Sequence, residues 1–232
     1  MSLVIPAPSQ TLIPIHRTGD LFPVRRVYCV GRNYAAHARE MGGDPNREPP
    51  FFFMKPADAL QIVPMGETID HPYPQRTQNY HFEVELVAAL HRSGRDIPLD
   101  QALDHVFGYA VGLDMTRRDL QDEAKQLRRP WELGKSADYS GPVGPLHRVS
   151  DVGHLHRGSI SLTVDGVTRQ KADLADMIWS VADQIAFLSS YFELAPGDVI
   201  FSGTPEGVGE VERGQTMVAA VEGLGEIRLR VI

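Results

Sequence analysis

A single cysteine, Cys29, stands in 232 residues, so no internal disulfide can staple this chain and a reducing compartment suits it. Its setting, Val27-Tyr28-Cys29-Val30, reads as strand interior, where a thiol is expected to be buried and inert. No apolar run approaches the roughly 20 residues that cross a bilayer, which excludes a helical membrane span. Basic residues are outnumbered, 23 Lys and Arg against 30 Asp and Glu for a net charge of −7. That balance argues against a general binder of nucleic-acid backbone. It leaves small anionic substrates open, because local charge at a site can oppose the net value. Met1 to Gln10 lacks a basic stretch followed by an apolar one, so no secretory signal is expected. The expectation is a soluble, cytoplasmic protein without nucleic-acid or membrane partners.

Low-complexity segments, internal repeats and a dividing linker are also missing, and the length suits one large domain. Residues 1–23, broken by prolines and glycines, read as an irregular arm ahead of a single domain over 24–232. Strands are expected at Val27–Val30, Phe51–Met54, Phe82–Leu90, Val106–Leu113, Ser159–Val164, Val167–Gln170 and Val199–Phe201, with two more over Thr216–Ile232. Asp165-Gly166 predicts a hairpin with a type I′ turn. Helices are fewer. A short one over Tyr34–Met41 should stop at Gly42-Gly43-Asp44-Pro45, and one of about three turns should follow an N-cap at Thr116. The best helical spacing runs from Asp173 through Leu174, Met177, Ile178, Val181, Ile185 and Leu188. The sum is a strand-dominated, mixed α+β fold with few short helices.

Within that pattern, His81-Phe82-Glu83-Val84-Glu85-Leu86 sets two carboxylates two residues apart in an alternating run. In a strand they share one face, while Phe82, Val84 and Leu86 point into a core. Adjacent carboxylates repel unless a cation, a proton or water relieves them. With Asp114 at the end of another strand, three carboxylates and no thiolate suit Mg²⁺, Mn²⁺ or Ca²⁺ better than zinc. A solvated edge-strand face satisfies the same spacing. His37 and Glu40, at i and i+3, form a His–carboxylate pair suited to activating water, and an exposed helix face fits them equally. Gly203-Thr204-Pro205-Glu206-Gly207-Val208-Gly209 lacks the Gly-Lys-Ser/Thr ending of a nucleotide loop. It remains a tight turn able to bring the Thr204 hydroxyl and backbone N–H groups to an anion. His154-Leu155-His156, between glycines in a polar stretch, reads as surface loop. Lys55, Arg118, Gln121 and Lys135 carry no meaning from spacing alone.

Taken in order, Gly31-Arg32-Asn33-Tyr34, His37-x-x-Glu40, Phe53-Met54-Lys55-Pro56, Glu83-Val84-Glu85, Asp114-Met115-Thr116, Trp131-Glu132-Leu133-Gly134-Lys135-Ser136 and Gly203-Thr204-Pro205-x-Gly207-Val208-Gly209 resemble the fumarylacetoacetate hydrolase family. The compact chain is similar to its acylpyruvate and fumarylpyruvate hydrolase branch. The resemblance implies a β-sandwich or β-roll, a divalent metal (Mg²⁺ or Mn²⁺, with Ca²⁺ also accepted) and a homodimer. It implies Glu83, Glu85 and Asp114 as metal ligands, and His37 with Glu40 as the water-activating dyad. Lys135 is implied as a catalytic donor, and Arg118, Gln121, Thr204 and Lys55 as residues on the substrate or beside it. The implied reaction is hydrolysis of a C–C bond in a 2,4-diketo acid, foremost fumarylpyruvate to fumarate and pyruvate in gentisate-type aromatic breakdown. A broader acylpyruvate hydrolase and an oxaloacetate decarboxylase or tautomerase use the same metal grip. A catalytically silent diacid-binding dimer is the reading outside the enzyme class. Ser136-Ala137-Asp138-Tyr139 departs from the more aromatic stretch the family leads one to expect, and that departure bears on substrate choice.

Overall fold

The computed structural model describes residues 3–40 and 49–232. Two sheets carry the architecture. The larger has eight strands, with Phe51–Lys55, Arg26–Gly31, Asp198–Phe201, Val84–Leu90, Val106–Leu113, Gly141–Val143 and Leu60–Ile62 in that spatial order, and His147–Arg148 paired beside Val106–Leu113. The smaller has five: Val167–Asp173, Ser159–Val164, Thr216–Val221, Gly225–Val231 and Thr68–His71. The main core lies between them, with Leu86, Leu90, Val111 and Leu113 meeting Ile160, Leu162, Met217 and Leu229. Ile13, Ile15, Phe22 and Val24 cover the opposite face of the large sheet, against Val27, Cys29, Val87 and Phe201. The large sheet is therefore buried on both faces, and all seven residues of Val84–Leu90 are inside. This is the strand-dominated mixed fold that the sequence predicts, and Cys29 is fully buried with burial pushing its thiol well up. Among the described residues no helix is long and apolar enough to cross a membrane.

The Asp165-Gly166 hairpin forms with both residues left-handed, at φ 50° and 78°, as a type I′ turn requires. Three expectations need correction. The run Phe82–Leu90 is not one strand: Tyr80–Phe82 pairs with Thr116–Arg117 and Gly209–Glu210 in a three-stranded sheet of its own, and Val84–Leu90 belongs to the large one. Thr116 is not a helix cap, because its backbone pairs with His81 and its hydroxyl donates to the Asp114 carbonyl at 3.1 Å. The helix starts two residues later and runs Arg118–Gln126.

The long helix starts later than its periodicity suggests, at Val181, after a capping box of Ser180 and Asp183. Asn33 is the reason. Its carbonyl accepts from the Ile178 N–H at 2.7 Å, its side-chain oxygen from Trp179 N–H at 2.8 Å, and its amide donates to the Trp179 carbonyl at 2.8 Å. Held in this way, residues 177–179 cannot turn, and only the single 3-10 turn Leu174–Asp176 precedes them. The helix at the His37 segment spans Ala35–Glu40. Met41 and the stop expected at 42–45 lie outside the described residues.

Candidate metal centre and its cleft

The site forms where two neighbouring strands leave the large sheet together. Val84 pairs with Leu113 in the large sheet, while His81 pairs with Thr116 in the three-stranded one. Glu83 and Asp114 occupy the crossing, tied by the Asp114 N–H donating to the Glu83 carbonyl at 2.8 Å. At such a crossing the side chains leave the pleated surface and converge. Phe82, Val84 and Leu86 enter the main core as alternation requires, which turns Glu83 and Glu85 the other way. Carboxylate oxygens of Glu83, Glu85 and Asp114 lie within 4.8 Å of one another, with all three residues buried. The solvated-face reading of Glu83 and Glu85 is thereby excluded.

Three buried carboxylates are costly unless countercharge lies at hand. Lys135 donates to Glu83 Oε2 at 2.7 Å and to Asp114 Oδ2 at 2.8 Å. The Arg118 guanidinium donates to Glu83 Oε1 and, at 2.5 Å, to Gln121 Oε1. Lys55 lies behind Asp114, its ammonium 2.8 Å from Oδ1 and bonded to the Lys135 carbonyl, the Met115 carbonyl at 3.3 Å and Ser140 Oγ at 3.1 Å. These neighbours split the carboxylates. Burial raises the Glu83 carboxyl, but Lys135 and Arg118 outweigh it and hold the group well below the usual range. Burial, then the charges of Asp114 and Glu83, push Glu85 well above it, against the Gly203 N–H that donates to Glu85 Oε2 at 2.9 Å. The anion met by the glycine-rich turn is thus a protein carboxylate. Gly203 sits there at φ 97°, and an added Cβ would come within 2.5 Å of Asn33 Cβ.

The donor set suits a divalent cation. It is all oxygen, it carries three negative charges, and Asp114 Oδ1 is buried without a hydrogen bond despite the Lys55 charge beside it. Lys135, Arg118 and Lys55 balance the three carboxylates, so a dication added here leaves about two net positive charges to receive an anionic ligand.

Above the carboxylates opens a narrow cleft. His37, Arg118, Gln121, Lys135 and Thr204 line it with the three carboxylates, and Phe51, Phe53 and Trp131 supply its aromatic wall. Glu40 and Lys55 stand outside that lining. His37 is 5% exposed, and its Nδ1 lies 3.2 Å from Glu40 Oε2. Burial lowers its pKa below the ordinary histidine value, against the raising effect of Glu83 and Glu40. The imidazole is therefore neutral at pH 7 and able to accept a proton. His154 and His156 are apart from this site, both exposed.

Spacing gave no sign of Gln170. Fully buried on the neighbouring sheet, its Oε1 accepts from the Val84 N–H at 3.0 Å, between the two glutamates. Its amide donates to Thr204 Oγ1 at 2.9 Å and to the Pro205 carbonyl at 2.8 Å. One side chain thus fixes the carboxylate strand to the glycine-rich turn. Val167, Thr168, Arg169 and Lys171 around it are all exposed, so no alternation in the sequence marks Gln170 as the buried position. Gln170→Met keeps the bulk and removes every bond. We expect a loss of about 1–3 kcal/mol for each buried group left unpaired, read as a lower urea midpoint, together with weaker turnover.

A sequence model described as fumarylacetoacetate (FAA) hydrolase C-terminal matches residues 26–232. A fumarylpyruvate hydrolase of a Ralstonia species is 43% identical over 188 residues, covering 81% of this chain and 95% of that protein. A mitochondrial oxaloacetate tautomerase of Arabidopsis thaliana is also 43% identical, over 209 residues, with 89% and 90% covered. Among solved structures, the fumarylpyruvate hydrolase from Pseudomonas aeruginosa in complex with Mn²⁺ and pyruvate superimposes with a TM-score of 0.98. It is 57% identical, with 100% of this chain and 99% of that chain covered.

Proposed function

The chain belongs to the fumarylacetoacetate hydrolase family, and from that premise we propose that it hydrolyses the C–C bond of a 2,4-diketo acid, foremost fumarylpyruvate to fumarate and pyruvate. The observation that carries the reading is the convergence of Glu83, Glu85 and Asp114 with a neutral His37 in one cleft. These three carboxylates would hold Mn²⁺ or Mg²⁺, as the Mn²⁺- and pyruvate-bound structural relative supports. When bound, the cation supplies Lewis acidity and a chelation point for the adjacent carboxylate and keto oxygens of the substrate.

The remaining steps fall to the chain's own residues. Arg118 and Thr204 orient the pyruvate end. His37 takes a proton from water, Glu40 stabilises the resulting imidazolium, and the water oxygen bonds to C4 of the diketo acid. Gln121 has its Oε1 occupied by Arg118, so its amide N–H is the donor it can offer the developing oxyanion. Lys135 spends two of its three N–H bonds on Glu83 and Asp114 and keeps one. The C3–C4 bond then breaks, its electron pair passes to the departing enolate, and the His37 proton is delivered to C3 to give pyruvate. Lys55 holds Asp114 from behind and positions it. The unit proposed to carry the reaction is 24–232, with residues 1–23 as its arm. A homodimer, a cytoplasmic location and a place in aromatic-acid breakdown complete the proposal.

Oxaloacetate tautomerisation is the second reading, supported by the equally similar Arabidopsis relative. It needs the enolate and no attack by water. Turnover of fumarylpyruvate, acetylpyruvate and oxaloacetate, each with Mn²⁺ and again with chelator, separates the two. Metal-dependent release of equimolar fumarate and pyruvate is the expected result. Consumption of oxaloacetate alone would leave enolate chemistry as the function.

A further inference from the structure

Asn33 is fully buried and does not line the cleft, yet its side chain spends both amide donors on carbonyls from distant segments. One carbonyl belongs to Trp179, at 2.8 Å, and the other to Ser202, at 2.7 Å. The side-chain oxygen accepts from the Trp179 N–H at 2.8 Å, and the backbone carbonyl from the Ile178 N–H at 2.7 Å. The bonds to Ile178 and Trp179 account for where the long helix starts. The bond to Ser202 is not needed for that. Strand pairing does not need it either, since the Ser202 N–H already reaches the Leu86 carbonyl at 3.0 Å.

What the Ser202 bond controls is one peptide plane. The Ser202 carbonyl and the Gly203 N–H belong to the same rigid, planar unit. With its oxygen held by Asn33, that unit points its N–H at Glu85 Oε2, 2.9 Å away. The approach is close, because Gly203 has φ 97° and an added Cβ would lie 2.5 Å from Asn33 Cβ. A carbonyl that accepts a bond also strengthens the N–H at the other end of its amide. Gln184 supports the same unit, donating to the Ser202 carbonyl at 3.2 Å and to the Trp179 carbonyl at 2.8 Å, but it lies on the long helix, far along the chain from His37.

In the other direction, Asn33 stands two residues ahead of Ala35–Glu40, the helix that carries His37. The one residue between them, Tyr34, is buried, and its backbone bridges to Met177. The helix therefore starts from a fixed point. We propose that Asn33 is a positioning residue that couples Glu85 to His37, since one amide turns the Ser202–Gly203 peptide toward the carboxylate and anchors the helix that presents the imidazole. The inference rests on the hydrolytic reading above, in which His37 activates water beside a cation held by Glu85. Misplacing two such groups by about 1 Å costs about 100-fold in rate.

The test is a double-mutant cycle of Asn33→Ala and His37→Ala, with kcat for fumarylpyruvate measured at saturating Mn²⁺ and well below each melting transition. With His37 present, Asn33→Ala should lower kcat about 10- to 100-fold and leave KM little changed. In the His37→Ala background the same substitution should cost less than about threefold, because the group it positions is gone. An equal loss in both backgrounds, or an undiminished kcat, overturns the coupling. Where Asn33→Ala does not fold, Asn33→Ser, which keeps one short donor, takes its place in the cycle. Two measurements need no turnover: calorimetry of Mn²⁺ binding, and NMR of the His37 ring in the metal-free protein. The Asn33 variant should bind Mn²⁺ severalfold more weakly and show shifted His37 resonances. If the unaltered protein hydrolyses neither diketo acid, the reaction assignment falls by itself. The coupling is then judged by these two measurements, and an unchanged value in either overturns it.

Discussion

Glu85→Gln should make the metal-free protein more stable while removing its turnover. The two effects have one origin. Glu85 is buried, close to Asp114 and Glu83, and its carboxylate accepts a backbone bond from Gly203. No lysine or arginine is bonded to it among the described residues, whereas Glu83 has Lys135 and Arg118, and Asp114 has Lys135 and Lys55. Its negative charge is the least compensated of the three, as its raised pKa records. Glutamine keeps an oxygen for the Gly203 N–H and discards the like-charge repulsion, so melting in chelator should shift upward. The same neutral amide is a poor ligand for a hard dication. Several kcal/mol of transition-state stabilisation is at stake at such a centre, so kcat should drop by about a thousandfold or more. The rise in melting temperature that saturating Mn²⁺ confers should shrink as well, because that rise is set by affinity. Glu83→Gln should lose activity equally and stability besides, since Lys135 and Arg118 would then face an uncharged partner in a buried setting. Calorimetry of both variants, in chelator and in Mn²⁺, reads these opposite signs directly. An Glu85→Gln protein that melts lower than the original in chelator would refute the charge argument.

The legible part of this site was local. Period-two alternation placed Phe82, Val84 and Leu86 in the core and turned Glu83 and Glu85 away from it, and the i, i+3 spacing of His37 and Glu40 survives as a 3.2 Å contact. What alternation could not reveal was that the strand pair changes sheets at Glu83 and Asp114, because that depends on which segments pair with His81 and Thr116 from far along the chain. Nor does spacing reveal that Val84–Leu90 is covered on both faces, which decides that these glutamates are buried and not solvated. Helix starts failed for the same long-range reason. Thr116 has a hydroxyl suited to capping, yet its backbone is claimed by a strand; residues 177–179 have helical spacing, yet Asn33 claims theirs. Gln170 shows the limit most clearly. It is a polar residue in a strand with an exposed neighbour on either side, and only the folded chain brings it to Val84 and Thr204.

His37→Ala should separate water activation from everything else the cleft does. Its ring lines the cleft beside the carboxylates, yet it is not bonded to Arg118, Lys135 or Lys55, so its loss leaves the charge balance at the floor intact. Burial keeps the imidazole neutral and therefore basic at pH 7, and Glu40 lies where it can stabilise the charge that proton uptake creates. A positioned general base contributes about 10²- to 10⁴-fold, and kcat for fumarylpyruvate should fall by that range with Mn²⁺ affinity retained. Glu40→Gln should cost less, because the Glu40 side chain is 40% exposed and water screens and replaces it in part. The order of effect, His37→Ala well above Glu40→Gln, distinguishes a dyad from an accidental contact. Oxaloacetate supplies the internal control. Its enolisation requires no attack by water, so a variant that loses fumarylpyruvate hydrolysis yet still exchanges the oxaloacetate keto and enol forms would assign His37 to the water step. Loss of both together would assign it instead to proton transfer at the enolate carbon, the step that hydrolysis and tautomerisation share.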